Sequence, residues 1–308
     1  MKAIVTTGGG PTGFRFADVA EPRPLPDQAV VQVEAASVNR GDTFWARNSP
    51  AGTVRGYDYA GVVLTPAADG SGPPAGARVA GAVAQGAWAE RVAAAGHTLA
   101  TIPDDVAAEQ AAATPVAGMT ALYALQRAGW LLGRRVLITG AAGGVGVFAV
   151  QLAARGGAHV TALVGSAERG AGLTELGADV VGTYDNPPAG GADVLVESAG
   201  GKVFTTAMSQ LNPHGIAVSV GNSAGAEVVL PPDYGLSRRN FSYSWLSLLD
   251  EVGRRRTGGN DLRFLLDLIA AGRLDPRIGE TVRWDDFGPI IEKLWNRQIS
   301  GKAILTLG

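Results

Sequence analysis

The chain has 308 residues, 46% of them hydrophobic, with a formal net charge of −2 and no cysteine. That apolar fraction is too high for disorder, and the length suggests two domains or one large α/β unit. The charge balance gives no footing for nucleic acid or an anionic membrane surface, and the missing thiols exclude disulfides and thiolate zinc sites. His97, His159 and His214 lie far apart without ligand spacing, so no metal is expected. The opening Met1–Lys–Ala–Ile–Val5 reads as a strand, without the charged-then-apolar pattern of a targeting signal. No apolar run is long enough to span a bilayer, and a soluble cytoplasmic protein is expected. Ala29–Val–Val–Gln–Val–Glu34 alternates as a half-buried strand does. Gly61–Leu64 and Arg78–Gly81 are short strands between Pro/Gly-rich segments such as Asp69–Gly–Ser–Gly–Pro–Pro74. This first third predicts a small, irregular barrel-like domain. From Val106 to Ala128 the pattern becomes helical and alanine-rich, with Pro115 interrupting it.

The middle repeats a strand-plus-helix unit. Strands are predicted at Arg135–Thr139, His159–Val164, Val180–Tyr184, Asp193–Glu197, Gly215–Val220 and Asn240–Trp245. Helices are predicted after the first strand, at Glu168–Leu176 and at Val203–Leu211. Such alternation implies an α/β fold, a doubly wound parallel sheet with helices on both faces. A longer helix, Leu262–Ala271, follows. The chain ends with a strand (Glu280–Trp284), a helix (Phe287–Trp295) and a strand (Lys302–Leu307), an ending that returns to complete the first domain.

The run Val136–Leu–Ile–Thr–Gly140–Ala–Ala–Gly143–Gly144–Val–Gly146 carries the most chemistry. A β-former run stops at clustered glycines and a helical pattern starts at once, the context that a Rossmann dinucleotide fingerprint requires. Gly143 lets the backbone approach a diphosphate, Gly146 lets the helix pack close to the strand, and the positive helix end faces the anion. Ala142, Gly143, Gly144 and Val145 are the candidate phosphate contacts; Ala141 replaces the usual first glycine. About 20 residues on, where an acid would bind the 2′-hydroxyl of NAD, stand Ser166 and Arg169, which suit the 2′-phosphate of NADP. Glu168 is the alternative: it could be the missing acid if the turn is shorter. Tyr184 ends the third strand on the same edge and is a candidate for the adenine end. Ser198, Gly200, Gly221 and Asn222 end later strands where a nicotinamide ribose would come close.

Several ordered segments resemble one family over nearly the whole chain: Ser37–Val–Asn39–Arg–Gly–Asp42, Gly56–Tyr–Asp58–Tyr–Ala60–Gly–Val–Val63, Gly86–Ala–Trp–Ala–Glu90, Ala113–Thr–Pro–Val–Ala–Gly118–Met–Thr120–Ala, the fingerprint, and Ser300–Gly301–Lys302–Ala–Ile. The chain resembles the zinc-independent branch of the medium-chain dehydrogenase/reductase superfamily, the NADPH:quinone oxidoreductase-like group, whose fingerprint commonly begins with alanine. The resemblance implies a GroES-like β-rich domain over 1–117, completed by 275–308, and a Rossmann domain over 118–274. It implies NADPH bound between the domains, reduction of quinones or α,β-unsaturated carbonyls, and a homodimer through the edge strand at 240–245. Zinc-dependent relatives use Cys, His and Glu/Asp ligands, whereas Asn39 stands in the region of the catalytic cysteine.

Without a metal, the protein has to orient the acceptor and stabilise negative charge on its oxygen. Asn39 is the candidate donor and Asp42 its orienting partner, each with a plain loop role as the alternative. Tyr57 is a candidate proton donor or an interdomain packing residue. Phe44 and Trp45 stand where some members carry a tyrosine, and suggest a flat aromatic wall for a planar substrate. Thr120 and Lys302 are expected near the cofactor, and Phe241 at the substrate or the dimer seam. Besides a quinone or enone reductase, a pathway-specific enoyl reductase of secondary metabolism and a non-catalytic NADPH-binding protein remain open.

Overall fold

The computed structural model describes residues 1–10 and 12–307, which form two compact units, Met1–Met119 with Leu249–Gly308, and Thr120–Leu248. In the first unit β1 (Lys2–Thr6) pairs antiparallel with β2 (Phe14–Asp18). The main sheet is built on β3 (Gln28–Val38), an eleven-residue strand rich in β-branched residues that ends at the short helix α1 (Arg40–Ala46). It pairs with β4 (Asp58–Thr65), which pairs with β5 (Arg78–Ala82); β6 (Arg91–Ala95) also adds to β3, and β7 (Ala100–Thr101) to β5. Trp88, Tyr59, Val31 and Val33 fill its core. The alanine-rich stretch forms α2 (Ala108–Ala112) and α3 (Pro115–Ala128). Pro115 starts the second helix, because at the first position its missing N–H has no intrahelical partner to lose.

The second unit is a six-stranded parallel sheet. Its strands are β8 (Arg135–Thr139), β9 (His159–Val164), β10 (Val180–Thr183), β11 (Ala192–Glu197), β12 (Leu211–Ser219) and β13 (Ser242–Trp245), in the order β10-β9-β8-β11-β12-β13. Numbered within the unit this is 3-2-1-4-5-6, the doubly wound dinucleotide-binding order. The helix α4 (Gly144–Arg155) follows β8 at once, α5 (Gly201–Ser209) follows β11, and α6 (Tyr234–Ser237) precedes β13. The helix expected at Glu168–Leu176 is absent: the segment makes a single 3₁₀ turn, Glu168–Gly170, and then turns. Gly170 and Gly172 explain it, since each glycine costs a helix about 1 kcal/mol.

The chain then forms α7 (Leu248–Arg255), α8 (Gly258–Ala270), β14 (Ile278–Arg283), α9 (Phe287–Trp295) and β15 (Lys302–Thr306). β15 pairs with β3, and β14 adds to β15, so the C-terminal strands complete the first unit's sheet. The second unit closes at Leu248 rather than at 274. The apolar face of α8, with Leu262, Leu265 and Leu266 buried, packs on β5 and β7 of the first unit.

In the second unit, backbone closes tightly on backbone at Gly146. A Cβ there would overlap the Gly140 carbonyl and lie 2.5 Å from the Cα of Ala141. Gly146→Ala is therefore expected to destabilise the fold by about 1–3 kcal/mol through overpacking, read as a Tm several degrees lower; an unchanged Tm would refute the close-packing account.

Candidate functional site

At the C-terminal edge of the parallel sheet, β8 runs through the turn Gly140–Gly143 into α4, whose N-cap is Gly143 in extended conformation. The N–H groups of Gly144 and Val145 open the helix and have no intrahelical acceptor, so they and the positive end of the helix dipole could receive an anion. The turn is held from three sides. The Gly143 N–H donates to the Gly140 carbonyl at 2.8 Å. The Gly140 N–H donates to the Tyr184 hydroxyl at 3.0 Å, and the Ser198 hydroxyl donates to the Thr139 carbonyl at 3.0 Å. Behind them the buried Glu197 carboxylate accepts the N–H groups of Ala199 and Gly200, each at 2.8 Å, and the Thr139 hydroxyl at 3.2 Å. Burial raises the Glu197 pKa, and those backbone donors oppose the rise.

The ends of β11 and β12 meet here. Ser223 N–H donates to the Ser198 carbonyl at 3.1 Å, and Gly200, at φ +75°, closes against the Asn222 side chain. Only glycine takes that conformation freely. The Asn222 Nδ2 donates to the Ala226 carbonyl at 2.8 Å, while its buried Oδ1 has no partner. That orphaned acceptor and the open helix N-terminus fit a dinucleotide: Gly144 and Val145 would hold the diphosphate, and Gly200, Gly221 and Asn222 would line the ribose and amide end. Thr120 is buried in α3. Ser166 donates to the exposed Glu168, which holds that carboxyl below its usual range, and the half-buried Arg169 lies in the adjoining 3₁₀ turn.

The first unit carries a buried polar cluster at the end of β3. Asp58, fully buried at the start of β4, accepts the Ser37 hydroxyl at 2.6 Å, the Asn39 side-chain N–H at 2.9 Å and the Val116 backbone N–H at 2.9 Å. Lys302 is 2% exposed; its ammonium donates to Asn39 Oδ1 at 2.5 Å and stands 3.4 Å from Asp58. Lys302 thus lies bound to Asn39 rather than facing solvent. Asp42 is also fully buried, and touches Asn39 through the backbone: its Oδ2 accepts the Asn39 N–H at 2.8 Å, and its Oδ1 has no partner. Burial pushes the Asp42 pKa up to about 7, the nearby Asp58 charge adds to this, and the Asn39 N–H, Arg55 and Lys302 oppose it. The half-buried Tyr57 accepts from the Arg55 guanidinium at 3.1 Å; burial and then the Asp42 charge raise its pKa, so the phenol keeps its proton.

The Phe44–Trp45 pair is arranged differently from the expectation. Phe44 and Trp45 are exposed on α1, but their rings meet edge-on at 87°, a corner rather than a flat wall. Phe241 is half-buried and packs edge-on against Tyr234 at 4.9 Å, on the margin of the second unit's core. Asp58 and Ser37 were not singled out as site residues. The available signal was a lone acid opening an apolar run, Asp58–Tyr–Ala–Gly–Val–Val63. Among the described residues no His/Cys/Asp/Glu group is able to hold a metal ion, and no helix is long and apolar enough to cross a membrane.

The sheet order and its glycine turn define a doubly wound dinucleotide-binding protein. A family model described as zinc-binding dehydrogenase matches residues 144–256. The chloroplastic quinone-oxidoreductase QR1 of Triphysaria versicolor is 30% identical over 323 aligned positions, covering 96% of this chain and 93% of that protein. The solved quinone oxidoreductase of Thermus thermophilus, described together with its NADPH complex, is 30% identical with a TM-score of 0.85 and full coverage of both chains. The spectinabilin polyketide synthase system protein NorB of Streptomyces orinoci is 38% identical over 264 positions, 82% of this chain and 12% of that protein. The chain belongs to the zinc-independent, quinone-oxidoreductase-like branch of the medium-chain dehydrogenase/reductase superfamily.

Because the Asp42 pKa lies higher in the fold than in the unfolded chain, the fold holds a proton that the unfolded chain releases between about pH 4 and pH 7. Stability from this group is therefore present at the acid end and lost as pH rises through about 7. Asp42→Asn removes that loss, so its stability relative to wild type should improve between about pH 5 and pH 8 by on the order of 2 kcal/mol in urea titrations; parallel profiles would refute the assignment.

Proposed function

We propose that the chain is an NADPH-dependent oxidoreductase that delivers hydride to a quinone or an α,β-unsaturated carbonyl without zinc. One observation carries the reading: the Gly140–Gly146 turn sits at the crevice edge of the sheet, in a chain that matches end to end a quinone oxidoreductase solved with NADPH. A bound reduced nicotinamide supplies the hydride. The chain's own residues do the rest. Ala142, Gly143, Gly144 and Val145 bind the diphosphate, Ser166 and Arg169 the 2′-phosphate, and Tyr184 the adenosine end. Thr120, Ser198, Gly200, Gly221 and Asn222 hold the nicotinamide end. Asn39 offers an N–H to the acceptor oxygen as negative charge grows there, where a pre-aimed donor stabilises the transition state more than the ground state. Tyr57, kept protonated by burial, delivers the proton that balances the hydride. Phe44 and Trp45 line the acceptor.

Purified protein mixed with NADPH and a panel of quinones and enones should consume the reduced cofactor, seen as falling absorbance. Tight NADPH binding with no consumption across the panel would instead mark a binding protein. Arg169→Ala should weaken NADPH by about tenfold or more and NADH hardly at all, because an arginine–phosphate pair is lost only with the former; equal losses would overturn the 2′-phosphate assignment. A second reading, an enoyl reductase of secondary metabolism, is favoured by the likeness to the polyketide synthase protein. It predicts that enoyl thioesters outrun quinones in the same panel.

The homodimer belongs to this reading. β13 is the edge strand, with Tyr243 and Trp245 exposed, and an unpaired aromatic edge suits pairing across a two-fold axis. Trp245→Glu should sediment as a monomer while wild type sediments as a dimer; a wild-type monomer would remove the proposal. A cytoplasmic location, where a reduced nicotinamide pool is maintained, completes the reading.

A further inference from the structure

We infer that Asp58 and Lys302 are positioning residues: a buried acceptor-only group and a buried donor-only group that together hold the Asn39 side-chain amide in one of its two orientations. The inference rests on the role proposed above for Asn39. A primary amide has nearly the same shape with its oxygen and nitrogen exchanged, so sterics alone do not select which end faces outward. Here the selection is electrostatic. Asn39 Nδ2 donates to Asp58 at 2.9 Å, and Asn39 Oδ1 accepts from Lys302 at 2.5 Å. Exchanging the two ends would aim the amide oxygen at a carboxylate and its N–H₂ at an ammonium, replacing two charge-assisted hydrogen bonds with two repulsive contacts. Both charged groups are almost wholly buried, so water does little to screen the choice.

The carboxylate cannot turn away, because Ser37 donates to its Oδ2 at 2.6 Å and the Val116 N–H to its Oδ1 at 2.9 Å. Stability alone explains the pair poorly: taking two charges out of water costs more than a 3.4 Å contact returns in many buried pairs. What the pair does provide is orientation. One amide hydrogen is committed to Asp58. The second makes only a long, weak hydrogen bond of 3.4 Å to Ser37, and Asn39 itself is half-buried, so that N–H can be given up to an incoming acceptor.

The test uses the full chain labelled with ¹⁵N-asparagine, first without cofactor. The Asn39 side-chain N–H₂ signals, identified by their loss in Asn39→Ala, should be two sharp, well-separated protons in wild type. In Lys302→Met and in Asp58→Asn they should broaden or converge as both orientations become populated. With cofactor and acceptor, both variants should lower kcat by roughly tenfold or more, with most of the rate restored by Lys302→Arg. In an Asn39→Ala background the same two substitutions should change kcat by less than about twofold, since a residue acting through Asn39 has nothing left to act on. Undiminished kcat losses in that background, or a sharp unshifted amide pair in both variants, would overturn the inference. Wild-type kcat in Asn39→Ala alone would instead overturn the catalytic role of Asn39 and leave the amide spectrum to decide the positioning claim. Asp58→Asn, nearly isosteric, carries both measurements if Lys302→Met does not fold.

Discussion

The close approach of α4 to β8 at Gly146 is the constraint from which the second unit's chemistry follows. With no Cβ in the way, the helix can begin within the same turn that ends the strand, and its first N–H groups are delivered to the sheet edge without partners. The surrounding bonds keep that turn from relaxing. Tyr184 from β10's end and Ser198 from β11's end both reach the residues that close β8, while Glu197 ties Thr139 to the first turn of α5. The ends of β10 and β11 thus brace the turn from two sides. Such preorganisation suits the diphosphate role proposed for this turn, because donors already aimed cost nothing to reorganise.

The first unit solves a different electrostatic problem. Two carboxylates, Asp42 and Asp58, lie in its interior with a single ammonium, Lys302, and the guanidinium of Arg55 close by. Asp58 is saturated with donors, whereas Asp42 has one oxygen without a partner and is pushed toward its protonated form. The two acids therefore have unlike environments although each accepts a hydrogen bond from Asn39. Buried charge of this kind is expensive, and it is kept where a donor has to point one way. The same economy shows at Tyr57, where burial preserves a phenol proton beside a guanidinium that can only donate to it.

Most regular elements were legible in the chain because their signals are local. β8 and β9 begin and end where the β-branched runs do, and α9 matches its apolar spacing from Phe287 to Trp295. The failure at Glu168–Leu176 has a local cause as well: apolar spacing suggested a helix, but two glycines inside it outweigh that pattern. α8 was legible as a helix but not as a member of the first unit, since its apolar stripe fits any apolar surface and only the contact with β5 and β7 assigns it. Phe241 and the Phe44–Trp45 pair show the same limit. An aromatic side chain is equally suited to core and cleft, and the degree of burial that separates the two uses is a tertiary fact.

By itself the sequence determined the alternating architecture, the glycine turn and the absence of thiolate chemistry, because each depends on residue type and short spacing. It did not determine that Lys302 would meet Asn39 and Asp58. Those residues lie 263 and 244 positions away along the chain, and only the pairing of β15 with β3, and of β3 with β4, brings them together. Hydrogen bonds act over about 3 Å, so a site built from distant strands exists only once the sheet has closed.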